Sequence, residues 1–351
     1  MMGAIIVVMT YKQKNMEKTD KFKILCIDGG GIKGLYTAKL LAMLEDTYKV
    51  KITDCFDMIC GTSTGGLIAL AASLGKPMGE VVDFYQRYGA DIFNQEAKGT
   101  MFGRTRLACK QAMWKGKYHG TALKKALTEV FGSTRIRESK NFLCIPSYNI
   151  ITGTPRVFKK DFDEFDQDDK LTYVDVALAT SAAPTYLPVK RLDYDYYIDG
   201  GVWANNPILV GFSEYLYKFA GLGLFNGVDI LSVESCEVQK NEAPKLLSRS
   251  FLDWKDTLFD AYSHGQSFSA LKLLEMLKGN LKFELNFYRL EKNCSISGEQ
   301  EKYIAMDDAS SKATVLLQAL ATHTARNEKM KPEVKHFFTT AKSLNPSEYG
   351  K

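Results

Sequence analysis

Short apolar runs alternate with amphipathic stretches through the first two thirds of the chain. Lys23–Ile27 is the first such run, and a glycine turn separates it from a helical pattern that begins at Leu35. Phe56–Cys60 is a second apolar run, and it also leads through a tight turn into a helical stretch, Leu67–Leu74. Two successive strand-turn-helix units predict a sheet with helices packed on its faces.

The alternation continues to about Ser235, after which the pattern becomes mainly helical. Pro77 is predicted to lie in the first turn of a helix to about Phe93, and Thr121 to be the N-cap of a helix to Val130. Asp161–Asp169 holds six acids in nine residues, which predicts a solvated loop. The other predicted elements are a hairpin of Asn141–Ile151 with Arg156–Phe158, helices Tyr173–Thr180, Pro207 to about Phe219, Phe251–Leu277 and Ala309–Thr324, and strands Tyr196–Ile198, Val228–Val233 and Phe283–Leu290.

These elements predict an α/β fold: a three-layer α/β/α sandwich with a mainly helical C-terminal elaboration. The expected boundaries are an N-terminal extension over residues 1–21, a main domain over residues 22–236, and the elaboration over residues 237–351, packed on the same domain. The extension is expected to be disordered or to result from an over-extended start, because Met16 directly precedes a polar run.

The composition argues against disulfides, metal and secretion. The seven cysteines among 351 residues are odd in number and mostly lie in apolar runs, which is typical of reduced thiols in a cytosolic protein. With four histidines and no CxxC pair, a zinc site has few ligands available, so no metal is expected. The apolar segment Gly3–Met9 is far shorter than the roughly 20 residues of a membrane span, and it lacks the marks of a signal peptide.

The net charge of +5 is modest, but the basic residues are unevenly distributed. Lys98–Lys117 carries six cations and no acid, with bulky apolar residues among them. Such a mixture suits peripheral contact with an anionic membrane surface, and the alternative is a solvated segment that covers the site. Binding of a nucleic acid polymer is not expected, because no recognised module accompanies the charge.

The turn Gly61-Thr62-Ser63-Thr64-Gly65 follows an apolar strand and precedes a small-residue helix. Flanking glycines permit a sharp turn that exposes the serine hydroxyl at a helix N-terminus, where the helix dipole favours developing negative charge. Ser63 is therefore the candidate nucleophile.

A second glycine-rich turn, Asp28–Gly34, follows the first strand. The consecutive glycines Gly29, Gly30 and Gly31 can direct backbone N–H groups at an oxyanion, and Lys33 adds a cation that would either meet a phosphate head group or lie in solvent. The same turn also fits the GxGxxG of a dinucleotide-binding loop. Against that alternative, the expected carboxylate does not end the second strand, because Asp54 precedes it.

Asp199-Gly200-Gly201 ends a short predicted strand, and its carboxylate could reach a serine turn. Alone, such a tripeptide is usually only a turn. None of the four histidines lies at a predicted strand end, where a triad histidine would be expected. The sequence therefore favours a two-residue arrangement of Ser63 and Asp199.

Four motifs in this order resemble the patatin-like phospholipase family: Asp-Gly-Gly-Gly-x-Lys-Gly, Gly-Thr-Ser-Thr-Gly-Gly, Ala-Thr-Ser-Ala-Ala-Pro-Thr-Tyr (Ala179–Tyr186) and Asp-Gly-Gly-Val-x-Ala-Asn-Asn-Pro (Asp199–Pro207). The resemblance covers about Lys23–Ser235. The chain departs from the family at Ser232–Cys236, where the family commonly has Ser-x-Gly-Thr-Gly.

The resemblance implies a patatin-type sandwich in which Ser63 is the nucleophile and Asp199 the general base. It also implies that the loop glycines donate to the oxyanion, with motif support from Lys33, Gly34, Gly61, Gly65, Gly200 and Gly201. It implies no cofactor. The substrate would be a membrane phospholipid, cleaved by a cytoplasmic enzyme at the inner face of the membrane.

Some bacterial members of this family are membrane-degrading effectors of anti-phage defence that a cyclic nucleotide switches on. The resemblance extends that expectation to this chain, together with homo-oligomerisation, although the sequence identifies no nucleotide pocket. Two alternatives stay open: a non-specific esterase of soluble esters and a lipid-binding storage protein. The intact serine, aspartate and glycines argue against storage.

Overall fold

The computed structural model describes residues 21–93, 120–161, 167–238, 251–292 and 294–346, with the backbone only for residues 251–257. The basic stretch Lys98–Lys117 and all but the last residue of the predicted N-terminal extension lie outside these ranges. Within the described ranges, no helix combines the length and apolar character needed to cross a bilayer.

An eight-stranded mixed sheet forms the centre of the molecule. Its strands are β1 (Phe22–Ile27), β2 (Met58–Gly61), β3 (Phe142–Asn149), β4 (Thr154–Lys159), β5 (Lys190–Leu192), β6 (Asp195–Asp199), β7 (Gly227–Val233) and β8 (Glu284–Leu290). They lie in the order β5-β6-β3-β2-β1-β7-β8, and β4 pairs with β3. The five neighbouring strands β3, β2, β1, β7 and β8 are parallel to one another. Strands β4 and β6 pair antiparallel with β3, and β5 pairs antiparallel with β6.

Every residue of β1 is buried, so both faces of the sheet are covered at its centre. Leu25 and Ile27 point into one apolar core, and Phe22, Ile24 and Cys26 into the other. This follows from the two-residue period of a strand, which turns successive side chains to opposite faces. A continuous apolar run such as Phe22–Ile27 is therefore the pattern of a strand between two layers.

The helices form those two layers. Their bounds are α1 (Gly34–Tyr48), α2 (Ile52–Cys55), α3 (Thr64–Ser73), α4 (Met78–Ile92), α5 (Thr121–Phe131), α6 (Tyr173–Thr180), α7 (Gly201–Ala204), α8 (Ile208–Glu214), α9 (Phe251–Leu277), α10 (Gly298–Glu301), α11 (Ser311–Glu328) and α12 (Pro332–Thr339). Helices α1, α3, α4, α5 and α6 cover the first core, and α8 and α9 cover the second. The predicted three-layer α/β/α sandwich is confirmed.

Several predicted helix boundaries differ from the structure. The helix predicted over Ala309–Thr324 spans Ser311–Glu328, and Pro77 is the N-cap of α4 instead of a residue of its first turn. The N-cap of α5 is Gly120, in the left-handed region at φ 67°, and Thr121 is already helical. The helix predicted from Pro207 changes after Glu214 into a π-helical turn, Tyr215–Phe219.

The prediction of a solvated loop over Asp161–Asp169 is wrong for Asp168. Its side chain is buried, with a carboxylate oxygen 2.5 Å from the Arg156 guanidinium. The other carboxylate oxygen accepts a hydrogen bond from the backbone N–H of Lys159. A cation and a backbone donor on β4 thus compensate for the burial of this acid, a long-range pairing that local charge density does not reveal.

Residues beyond 236 contribute directly to this architecture. Strand β8 extends the sheet by pairing parallel to β7. Helix α11 packs on α1, and Phe338 of α12 stacks on Tyr48 with ring centroids 5.3 Å apart. The C-terminal third therefore supplies a strand of the central sheet as well as helices.

Candidate active site

Ser63 occupies a sharp turn between β2 and α3. Its φ of 56° lies in the left-handed region, which is costly for a residue with a side chain. The turn closes only because glycines stand two residues before and after Ser63: a Cβ on Gly61 would lie 2.2 Å from the carbonyl oxygen of Gly65, and one on Gly65 would lie 2.4 Å from that of Ile27. The tight turn therefore places the Ser63 hydroxyl at the start of α3.

Asp199, the last residue of β6, contacts that hydroxyl. The Oγ of Ser63 donates to Oδ2 of Asp199 at 2.6 Å, and the backbone N–H of Gly201 donates to Oδ1 at 2.7 Å. Pairing of β6 with β3 fixes this position, and Gly200 fits because a Cβ there would lie 2.3 Å from the Pro146 carbonyl oxygen. Burial raises the pKa of Asp199 to about 6, although its hydrogen bonds with Ser63 and Gly201 favour the ionised form.

Thr180, at the end of α6, joins the serine turn to β3. Its Oγ1 accepts the backbone N–H of Ser63 at 3.0 Å and donates to the Pro146 carbonyl at 2.6 Å. This threonine belongs to the motif Ala179–Tyr186, but its role was not predicted from the sequence. Its position in a motif beside a predicted helix end was the available signal.

The glycine loop after β1 lies against the serine turn. The backbone N–H of Gly29 donates to the carbonyl of Asn205 at 3.1 Å, and that of Gly30 donates to Oγ1 of Thr64 at 3.2 Å. Gly31, at φ 61°, lines the cavity beside Ser63. The backbone N–H groups of Gly29 and Gly30, two of the three predicted oxyanion donors, thus already donate hydrogen bonds within the protein.

A segment from the C-terminal third completes this loop. The carbonyl oxygen of Met306 accepts the backbone N–H of Ile32 at 2.8 Å, and a Cβ on Gly31 would lie 2.1 Å from the same oxygen. Lys33 follows in a short 3-10 turn and is partly exposed. Gly34 packs against the Tyr85 hydroxyl, which a Cβ would approach to 2.3 Å.

Asp28 precedes the loop and is fully buried. The guanidinium of Arg289 on β8 donates to both carboxylate oxygens, at 2.9 and 2.5 Å, and to the hydroxyl of Ser232 at 2.7 Å. Desolvation raises the pKa of Asp28 to about 6 despite the arginine, which acts in the opposite direction. Arg289 was not predictable from the sequence, because nothing local links it to a motif 261 residues earlier.

The described histidines lie in other contacts. His264 approaches Glu237, His323 approaches Asn327, and Nε2 of His336 lies 2.6 Å from Oδ2 of Asp229. The described residues also hold no cluster of three or more His, Cys, Asp or Glu side chains suited to a metal ion. In the described part of the chain, Ser63 thus has a carboxylate as its side-chain partner.

The sheet is covered by helices, and a strained serine donates a hydrogen bond to a buried carboxylate. This combination defines an α/β protein of the carboxylic ester hydrolase class. The chain belongs to the patatin-like phospholipase family, whose model matches residues 25–211. The predictions of this family and of an enzyme that hydrolyses phospholipid esters are thereby confirmed.

Relatives extend over most of the chain. A cGAMP-activated phospholipase of Pseudomonas aeruginosa is 32% identical over 310 residues, covering 87% of this chain and 88% of the relative. A cGAMP-activated phospholipase of Vibrio cholerae is 31% identical, covering 88% of this chain and 92% of the relative. Patatin-like protein 1 of Oryza sativa subsp. indica is 34% identical but covers 56% of this chain and 51% of the relative. Among solved structures, human GIVD cytosolic phospholipase A2 matches with a TM-score of 0.44 at 10% identity, covering 91% of this chain and 60% of that one.

Proposed function

We propose that this protein deacylates membrane phospholipids through Ser63 and Asp199. The observation that carries the proposal is the 2.6 Å hydrogen bond from the Ser63 hydroxyl to the Asp199 carboxylate. An ordinary aspartate is a weak base for a hydroxyl, but a pKa raised to about 6 by burial gives Asp199 a higher proton affinity while leaving it ionised at neutral pH.

The reaction follows from this geometry. Asp199 accepts the hydroxyl proton as Oγ of Ser63 attacks the ester carbonyl carbon, whose oxygen becomes the oxyanion. The intermediate collapses to an acyl-serine, and the leaving alcohol takes the proton from Asp199. Water then attacks the acyl-serine, again giving a proton to Asp199. The second tetrahedral intermediate collapses as Asp199 returns that proton to Oγ of Ser63, and the fatty acid leaves.

For the oxyanion, the position of Gly31 beside Ser63 supports its backbone N–H as a donor. Gly29 and Gly30 would shape the loop through their bonds to Asn205 and Thr64, and would donate only if those bonds opened. One well-aimed donor is typically worth about 3 kcal/mol of transition-state stabilisation. Lys33 is partly exposed beside the loop and would meet the phosphate of the head group.

We further propose that a cyclic nucleotide switches the enzyme on, within an anti-phage response at the inner face of the cell membrane. The cGAMP-activated relatives in two bacteria align with 87% and 88% of this chain, well beyond the span of the family model. Membrane attachment through Lys98–Lys117 and homo-oligomerisation belong to the same proposal.

The test is release of free fatty acid from phospholipid vesicles by wild type and by the Ser63→Ala variant, each with and without cGAMP. Release by wild type only in the presence of cGAMP supports both the phospholipid hydrolysis and the cyclic-nucleotide switch. Release without it supports the hydrolase and contradicts the switch. No release in either case, with short soluble esters still cleaved, favours a soluble-ester esterase instead.

A further inference from the structure

The cavity beside Ser63 is too small for the acyl chain of a phospholipid. Its volume is about 50 Å³, and its lining, which includes Leu67, Phe84 and Leu123, is almost wholly apolar. Sites that enclose small organic ligands usually measure roughly 300 to 1,000 Å³. The cavity can therefore receive the carbons next to the ester, and the rest of a long chain needs further space.

A second cavity, of about 290 Å³, lies between α3, α4 and α5. Its interior is formed largely by apolar side chains, among them Ala71, Leu127 and Phe131. Charged residues from α4 and α5 stand around it, including Arg87 and Glu129, whose side chains approach to 3.8 Å. It thus combines an apolar interior with a polar rim.

Leu67, Phe84 and Tyr85 line both cavities and form the wall between them. All three are buried, with Phe84 at 9% exposure the least so. The Tyr85 hydroxyl lies against Gly34, and Tyr85 lines both cavities. The wall between the two cavities therefore consists of side chains. A change of their rotamers can connect the cavities.

Helix α3 gives the direction from one cavity to the other. The backbone N–H of Leu67 donates to the carbonyl of Ser63, so Leu67 lies one helical turn beyond the nucleophile, and Ala71 lies one turn further. Residues at this spacing share one helix face. A chain that leaves the Ser63 ester along this face passes Leu67 and reaches Ala71 in the second cavity.

We propose that the cavity between α3, α4 and α5 binds the distal part of the substrate's acyl chain, and that Phe84 is the side chain that admits it. The two cavities together reach the lower end of the volume range of ligand sites. This inference rests on the proposed acyl hydrolase and assigns its chain-length preference to named residues.

The test compares kcat/KM for butyryl and palmitoyl esters of one chromogenic alcohol, with cGAMP present. Ala71→Phe places a ring in the second cavity, and the ratio of palmitoyl to butyryl kcat/KM should fall at least about tenfold, as expected when several methylenes lose their apolar contacts. Phe84→Leu, which lowers the wall without filling the cavity, should raise the same ratio. Val315→Phe, at a side chain 66% exposed on α11, is the matched control for added bulk.

The second variant keeps the test decisive if Ala71→Phe fails to fold. An unchanged ratio in folded Ala71→Phe, or in Phe84→Leu when the first variant is lost, would overturn the acyl-chain assignment while leaving the hydrolase intact. If wild type cleaved neither ester, the proposed function itself would fail, and the two failures are thereby distinguished.

Discussion

Arg289 on β8 holds Asp28, the residue that leads from β1 into the glycine loop, through two hydrogen bonds of 2.9 and 2.5 Å. Both side chains are almost completely shielded from solvent. The C-terminal third of the chain thus fixes the start of the loop through Arg289 and its middle through the Met306 carbonyl. A loop built from glycines has little stiffness of its own, so these contacts define its conformation.

Removing one member of this ion pair should lower the stability more than removing the charges of both members. Arg289→Met leaves a buried carboxylate without its cation, and we expect the free energy of unfolding to fall by about 3 to 5 kcal/mol. The double variant Asp28→Asn/Arg289→Met removes both charges and should recover much of that loss. Urea unfolding of wild type, both single variants and the double variant measures this. Equal stability of Arg289→Met and wild type would show that the pair contributes nothing.

Loss of either member of the serine and aspartate pair should abolish hydrolysis. We expect Ser63→Ala and Asp199→Asn each to lower kcat by at least about a thousandfold, because neither variant retains both the nucleophile and its base. Fatty acid release measures the loss, and circular dichroism checks the fold. His264→Gln, His323→Gln and His336→Gln are the controls, and a histidine variant as inactive as Ser63→Ala would contradict the two-residue mechanism.

The activity should depend on the ionisation of Asp199. Because burial raises its pKa to about 6, the carboxylate becomes protonated as the pH falls through that value. We expect kcat/KM for a soluble ester to be constant above about pH 7 and to fall about tenfold per pH unit well below pH 6. A profile that stayed flat down to pH 5 would show that this carboxylate does not act as the base.

The same carboxylate should lower stability at neutral pH. Its folded pKa of about 6 lies above its ordinary value of 3.8, so the folded state binds the proton more tightly than the unfolded state. Its contribution to stability is therefore full below about pH 4 and is lost as the pH rises through about 6, by up to about 3 kcal/mol.

Asp199→Asn removes this dependence. The melting temperature of the variant, measured by calorimetry, should exceed that of wild type at pH 8, and the difference should shrink toward pH 4. A constant difference across that range would argue against a raised pKa.

Local pattern predicted much of this fold because strands and helices impose short periods on the sequence. The predicted limits of α9 agree with the structure, and β1 and β7 were each predicted to within one residue. The serine turn was recognisable because its glycines, Gly61 and Gly65, lie only two residues from Ser63 in the sequence.

Contacts between distant segments were not predictable in this way. Three such contacts are the pairing of β8 with β7, the ion pair of Asp28 with Arg289, and the ion pair of buried Asp168 with Arg156. In each case, the local sequence around one partner does not indicate the other partner. The hydrogen bonds that occupy the Gly29 and Gly30 amides likewise depend on Asn205 and Thr64, which reach the loop only through the tertiary fold.

The distance of Arg289 along the chain affects when the glycine loop can gain its contact with β8 during synthesis. Asp28, Ser63 and Asp199 leave the ribosome well before β8, because Arg289 follows Asp28 by 261 residues. A nascent or truncated chain can thus carry Ser63 and Asp199 while the glycine loop still lacks its contact with Arg289. A translation product that ends before β8 therefore lacks the Arg289 contact that fixes the start of this loop.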